Sequence, residues 1–397
     1  MKDIVIIANF CDYETINGNN RFNYIANMLY KQGNKVELIT SSFSHRRKVQ
    51  RNRKQDKSYK IILINEPGYK KNISLKRFYS HYKWGSNIMS YLKKRKKPDV
   101  VYCAVPSLTG PYNVSKYCNK NNIKFIIDIQ DLWPEAFQMV FNIPVISSIF
   151  FFPFKMLANR IYSNANTIFG VSESYVRRGI EKNKNCKGYP VYIGTSMNIF
   201  DDNAKKESNL KLKKMPDDIY IAYCGTLGKS YDLKCVIDAI KIVNNKHVYL
   251  IVMGDGPQKS EFENYAISQK INSKFLGRIP YDEMCATLVK CDIAINPIVG
   301  LSVASIINKH ADYAASGLPV LNTQNSKEYI QLVNEYNMGL NSETGNSHDL
   351  AKNIKTLVSN EEMRKYMGKN ARLCAEKKFN RDNTYKLIIE EINGDRK

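Results

Sequence analysis

Hydrophobic residues along the chain gather into short continuous runs separated by polar, helix-periodic stretches. The first half holds DIVIIA (3–8), KVELIT (35–40), IILI (61–64), VVYCAV (100–105), KFIIDI (124–129), TIFGV (167–171) and PVYIG (190–194). Between the first two, Phe22, Ile25, Ala26 and Leu29 recur at the spacing of one helix face, and Gly33 closes the helix. Unbroken apolar strands joined by helices predict a parallel sheet covered on both faces. The polar stretch DDNAKKESNLKLKKMPDD (201–218) interrupts this rhythm and reads as a linker. The pattern then restarts with IYIAYC (219–224), VYLIVM (248–253), KFLG (274–277), DIAINPI (292–298) and LPVLN (318–322), and from Glu361 onward only helical periodicity remains. The expected fold is α/β with two tandem Rossmann-like domains: residues 1–200, a linker over 201–218, residues 219–375, and a C-terminal helix over 376–397 packing back on the first domain.

Composition agrees with folded cores and adds a charge signal. The 397 residues are 43% hydrophobic and carry a net charge of +23, which excludes a disordered acidic polymer and points to an anionic partner. The charge is concentrated: residues 45–97 hold 18 Lys and Arg against Asp56 and Glu66, leaving +7 for the rest. Aromatics interleave with it, in Arg77-Phe78-Tyr79, in His81-Tyr82-Lys83-Trp84 and at Tyr91 before KKRKK. Taken alone, that stretch suits a nucleic-acid surface, an anionic membrane surface or a solvated face. Nine scattered cysteines without a CxxC pair read as small core residues in a reducing compartment. The N-terminal MKDIVIIANF reads as a first strand, not a signal peptide. The run FNIPVISSIFFFPF (141–154) is shorter than the ~20 residues that span a bilayer, so the expectation is a cytoplasmic protein. Its Phe150–Phe154 cluster fits either an interhelical core or contact with lipid.

Candidate chemistry sits at the ends of strands in the second half. Gly225-Thr226-Leu227-Gly228-Lys229 follows a strand and precedes a helix starting near Asp232. Backbone amides of such a loop can meet a phosphate, and so can Lys229; a tight turn needs the same glycines. Gly254-Asp255-Gly256-Pro257 is a second such loop. In SVASIINKHADYAASGLPVLN (302–322), Ser305 or Asn308 can cap a helix that Gly317 ends. Lys309 and Asp312 then share a face near its N-terminus, as a diphosphate and a ribose would require or as a surface ion pair would. Of the five histidines, His310 is the one nearest this chemistry, at a position that reads as solvated. No metal-ligand cluster, HExxH or Ser-His-Asp order occurs.

The string Asn308-Lys309-x-x-Asp312-Tyr313-x-Ala315-x-Gly317-x-Pro319-Val320 resembles the donor-binding segment of glycosyltransferase family four, whose fold is called GT-B. Strand–GTLG–helix, MGDGP, FLGRIPYDEM and CDIAINPI precede it in the family's order. In the first half IIDIQDLWPEAF (126–137) is similar to an element of bacterial members that build capsule, O-antigen or exopolysaccharide. The resemblance runs from residue 3 to about 378. It implies two domains facing a central cleft and a retaining, metal-independent transfer of a sugar from a nucleotide donor, UDP by preference, with no cofactor. Lys309 would hold the diphosphate and act in catalysis, aided by Lys229 and the amides of Thr226, Leu227 and Gly228 beside Gly225 and Gly254. Asp312 would take the ribose, the backbone around Gly277 and Arg278 would meet the base, with Arg278 facing a phosphate or solvent as the alternatives, and Ser305 and Asn308 would line the donor. On the acceptor side the resemblance implies Gly18, in a loop after the first strand, and Asp131, with a catalytic role for Asp131.

Three positions depart from the family pattern. Ala304 stands eight before Asp312 where many members have glutamate, Gln130 replaces a histidine, and Thr226 replaces an arginine. The implied acceptor is a lipid-linked saccharide, so the basic 45–97 stretch is expected to dock on an anionic membrane, placing the protein on the inner face of the cell membrane with no nucleic acid bound. The rival readings are a UDP-sugar epimerase of the same fold and a nucleic-acid-binding protein using residues 45–97.

Overall fold

A computed structural model describes residues 1–12, 20–52, 58–72, 74–138, 144–208, 210, 212–299 and 306–395. The chain divides into two compact units, residues 1–192 with 385–397, and residues 193–384. In the first unit the strands are β1 (Asp3–Ile7), β2 (Lys35–Ser41), β3 (Phe43–Ser44), β4 (Val49–Gln50), β5 (Lys60–Ile64), β6 (Val100–Val105), β7 (Lys124–Ile129), β8 (Thr167–Gly170) and β9 (Lys187–Pro190). Seven of them form one parallel sheet in the order β5-β2-β1-β6-β7-β8-β9, while β3 and β4 make a short antiparallel ribbon. The second unit holds β10 (Ile219–Cys224), β11 (Val248–Met253), β12 (Asn272–Gly277), β13 (Ile293–Asn296), β14 (Val320–Asn322) and β15 (Gly339–Asn341), parallel in the order β12-β11-β10-β13-β14-β15.

Burial explains why the strands read as unbroken apolar runs. Ile4 to Ile7 and Ile221 to Tyr223 are fully buried, each strand being covered on both faces. Strand order reverses direction between β1 and β6 and between β10 and β13. Doubly wound sheets bind ligands beyond the carboxyl ends of the strands at such points.

Several boundaries differ from the sequence expectation. The run 190–194 is not a strand: β9 ends at Pro190, and the carbonyls of Val191 and Tyr192 accept hydrogen bonds from Arg21 Nη1 at 2.9 and 3.1 Å. Residues 201–218 are not a free linker between units but belong to the second unit. The helix Met197–Ala204 includes Asp201, which pairs in bidentate fashion with Arg372 at 2.6 and 2.7 Å. Polar composition there marks a solvent-facing, anchored segment. The tail joins the first unit only from Tyr385, because Phe379 and Arg381 are backbone-bonded to Thr195 within the second unit. Beyond that point Ile388, Ile389 and Ile392 enter the first unit's core. Eight of the nine cysteines are buried, and among the described residues no helix is long and apolar enough to cross a membrane.

Candidate functional site

In the second unit the two glycine loops interlock at the sheet's point of reversal. Gly225 donates to the Met253 carbonyl at 3.0 Å and Leu227 to the Asp255 carbonyl at 2.9 Å. A Cβ on Gly254 would lie 1.8 Å from the Gly225 carbonyl oxygen, so this glycine is required by backbone packing. Leu227 likewise departs from its expected phosphate role: its amide is used by Asp255 and its side chain is fully buried. The amides of Thr226 and Gly228 have no such partner among the described residues. Tyr223 Oη donates to the Thr226 carbonyl at 2.7 Å and pins the loop.

The helix carrying Lys309 spans Asn308–Ala315, and its start departs from the expected cap. Asn308 lies inside the helix and is exposed, while Ser305, like Ala304, lies outside the described residues. The His310 ring does the capping, with Nδ1 accepting from the Ile307 amide at 3.3 Å. His310 is therefore buried rather than solvated; it stacks on Tyr329 at 3.5 Å, and burial holds its pKa well below the ordinary value.

Lys309 rises from this helix to the glycine loop, its Nζ 3.2 Å from where a Cβ on Gly225 would sit. The side chain is 8% exposed and the amine has no hydrogen-bond partner among the described residues. It lies over two rings instead, 4.1 Å from the centroid of Tyr223 and 3.9 Å from that of Tyr231. Burial lowers its pKa from 10.5 to about 7. A concealed amine without a counter-ion beside a glycine loop is built to receive an anion.

Asp312, one turn on, accepts from Tyr281 Oη at 2.9 Å, and Tyr281 Oη is also within 2.9 Å of Thr195 Oγ1. Burial raises its carboxyl to about 6. Lys229 and Arg278 are exposed, and Gly277 adopts a left-handed φ of 69° at the end of β12. Lys309, Gly225, Thr226 and Gly228 are thus gathered, whereas Gly254 and Leu227 are structural.

In the first unit Gly18 lies outside the described residues. Asp131 follows β7 and accepts from the Leu132 amide at 2.9 Å and Trp133 Nε1 at 3.1 Å; burial raises its pKa. Trp133 stacks on His81 at 5.7 Å and lies 4.5 Å from the Arg77 guanidinium. The basic stretch is thus only partly a surface. On the helix Leu75–Lys94, Arg77, His81 and Trp84 point inward, and Arg95 pairs with Asp3 and Glu37 at 2.6 and 3.0 Å. The greasy segment divides as well. In the helix Pro144–Ser163, Phe151 is buried whereas Ile149, Phe150, Phe152 and Met156 are exposed; residues 141–143 lie outside the description.

Sequence reasoning missed the parts played by Tyr223, Tyr231 and Tyr281; only Tyr281 falls inside a motif, FLGRIPYDEM, which gave its side chain no task. It also missed Arg77 and His81, although a signal existed: positions 77, 81, 84, 88 and 92 form one helical stripe ending in Trp84, Ile88 and Leu92, which places Arg77 and His81 on the buried face.

Residues 204–373 match the family model described as glycosyl transferases group 1. Over 218 residues the chain is 24% identical to an uncharacterized glycosyltransferase of Methanocaldococcus jannaschii, covering 54% of this chain and 56% of that protein, so the match spans about half of that relative. Among solved structures, Anabaena HepE in complex with UDP aligns with a TM-score of 0.72 at 13% identity, covering 99% of this chain and 100% of that one. WaaG, a glycosyltransferase involved in lipopolysaccharide biosynthesis, aligns with a TM-score of 0.67 at 14% identity, covering 98% and 100%. At these identities the likeness establishes the fold, which is that of the GT-B glycosyltransferases.

Proposed function

We propose that this chain is a retaining glycosyltransferase that takes a sugar from a UDP-sugar and delivers it to a lipid-linked saccharide in the assembly of a surface polysaccharide such as capsule or O-antigen. One observation carries the donor half of this reading: the Lys309 amine, buried over the Gly225 loop with no hydrogen-bond partner among the described residues, inside the region that matches the group 1 glycosyl transferases. A leaving nucleoside diphosphate accumulates negative charge. A fixed cation and oriented amides in a buried setting stabilise that charge without reorganising at the moment of transfer. Lys309 binds the diphosphate, the amides of Thr226 and Gly228 assist it, and Asp312 meets the ribose. The complex of HepE with UDP supports UDP as the donor nucleotide.

The first unit takes the acceptor, with Asp131 and Trp133 at the carboxyl edge of its sheet. Its exposed apolar side chains support docking on an anionic membrane. Ile149, Phe150, Phe152 and Met156 on one helix adjoin Leu75, Tyr79 and Tyr82 on another through the contact of Phe78 with Phe154 at 4.8 Å, and Lys76, Lys83 and Lys155 are exposed among them. Aromatic and basic side chains settle together at a lipid interface.

Thermal-shift screening with UDP, GDP, ADP and their sugars tests the donor assignment. A UDP-selective rise in the melting midpoint that disappears in Lys309→Ala is the expected result. The absence of a shift with every nucleotide would refute it, and sugar isomerisation without an acceptor would mark an epimerase instead.

A further inference from the structure

The first unit holds a second group of cations that the donor chemistry does not use. The Tyr69 ring is flanked by two of them, Lys48 Nζ at 4.6 Å and the Arg77 guanidinium at 5.5 Å from its centroid. Arg77 is 7% exposed; its Nη1 donates to the Asn72 carbonyl at 2.8 Å, and its Nε is buried with no partner among the described residues. Lys48 donates to Asn72 Oδ1 at 2.5 Å. Neither cation contacts a carboxylate among the described residues; burial lowers the pKa of both, and Arg77 lowers that of Lys48 further. His45 lies 3.4 Å from Lys48 Nζ, and His81 is buried beside Tyr69 and Trp133.

The neighbouring acids are committed elsewhere. Glu66 accepts from Asn9 Nδ2 at 3.1 Å and Ser80 Oγ at 2.9 Å, with His81 Nε2 3.9 Å away, and Asp131 accepts from Leu132 and Trp133. A buried guanidinium is normally paired, yet among the described residues no carboxylate contacts Arg77, and Glu66 and Asp131 act on it only from a distance. It lies at the carboxyl edge of the sheet, where the adjacent strands β1, β6 and β7 end. Among the described residues Asn9 Oδ1, Ser107 Oγ and Gln130 Nε2 are buried without partners just past those ends, and Phe10, 37% exposed, packs 6.3 Å from Trp133.

We propose that Arg77 and Lys48 form an anion site for a phosphate ester carried by a saccharide, with Trp133, Phe10 and the unpaired polar groups at the strand ends receiving its sugar. A phosphate fits better than a carboxylate. The donors come from the turn between β3 and β4 and from the Leu75–Lys94 helix, and approach from separate directions; a planar carboxylate is satisfied by a single guanidinium fork. The site names the chemistry by which the acceptor is held, and to that extent rests on the reading that the first unit takes the acceptor.

The test is calorimetric titration of the full chain, with saturating UDP filling the donor site, using glucose 1-phosphate, glucose and inorganic phosphate as probes. The expected order places glucose 1-phosphate ahead of both glucose and inorganic phosphate. Arg77→Gln and Lys48→Gln should each weaken it by about ten- to a hundredfold, as loss of a charge-assisted hydrogen bond does, and leave UDP affinity unchanged. Lys48 is half-buried, so Lys48→Gln remains informative if Arg77→Gln misfolds. Inorganic phosphate binding as tightly as the ester would overturn the assignment to a glycan ester, and equal affinities in wild type and Lys48→Gln would overturn the site. UDP titrated alone reports the donor reading separately: its failure, with glucose 1-phosphate still bound, sinks the transferase assignment and spares the anion site.

Discussion

Replacing Lys309 with methionine should stabilise the fold while removing donor binding. The wild-type amine is buried without a hydrogen bond to any described residue, and its pKa falls from 10.5 to about 7. Because the folded pKa lies below the unfolded one, the folded state binds fewer protons between about pH 7 and 10.5. Stability therefore rises with pH through that window and is flat on either side. At 1.36 kcal/mol per unit the depression corresponds to about 5 kcal/mol of lost stability at neutral pH. The rings of Tyr223 and Tyr231 return about 1–2 kcal/mol apiece to the charged form. Methionine, similar in volume and uncharged, should thus gain about 1–3 kcal/mol at pH 7. Denaturant unfolding followed by circular dichroism at pH 7 and pH 9.5 measures this. The gap between variant and wild type should narrow at the higher pH, and a variant destabilised equally at both pH values refutes the reasoning.

The same group makes a second, independent claim on donor binding. A diphosphate beside Nζ favours the charged amine, so the complex holds a proton that part of the free molecules lack above pH 7. Affinity for UDP should fall as pH rises above 7, with a slope approaching one decade per unit. Calorimetry in two buffers of different ionisation enthalpy should show proton uptake on UDP binding that grows between about pH 7 and pH 8.5. Zero uptake at pH 8.5 would show that Lys309 does not meet the diphosphate.

Other substitutions address the scaffold around it. Gly254→Ala would put a methyl 1.8 Å from the Gly225 carbonyl oxygen; the loops must part, and both the melting midpoint and UDP affinity should drop. Tyr281→Phe keeps the ring but removes the hydroxyl that donates to Asp312, which should weaken UDP binding by about five- to thirtyfold in a direct titration. Asp128→Ala leaves the Arg21 guanidinium buried without the carboxylate it contacts at 2.7 Å, and should cost about 3–5 kcal/mol in denaturant unfolding.

The parallel sheets were legible because their central strands are buried on both faces, so burial writes an unbroken apolar run into the sequence. What failed to show were features set by a single distant contact. The Val191 and Tyr192 carbonyls go to Arg21, a residue 170 positions away, and no local pattern marks that. The three-residue strand β15 and the β3–β4 ribbon are too short to establish a period. In the donor region the motif located Lys309 and Asp312 but not the tyrosines that hold them, because Tyr223 sits within a buried strand where an aromatic reads as core.

The basic stretch shows how composition misleads when it is read as surface. Its count of cations is the same whether a side chain faces water or the interior, yet the two placements have opposite meanings. Exposed Lys76 and Lys83 are hydrated, so their contribution to any docking is screened by salt within about a Debye length. Arg77, on the same helix but at the buried phase, has lost that hydration and has no carboxylate in contact among the described residues. Its attraction for an anion acts through low dielectric and survives salt. Binding of glucose 1-phosphate at this site should therefore change little between low and physiological salt, whereas association with anionic vesicles through the exposed lysines should fall steeply. A steep loss in both would place Arg77 with the surface cations and remove the distinction on which the two partners depend.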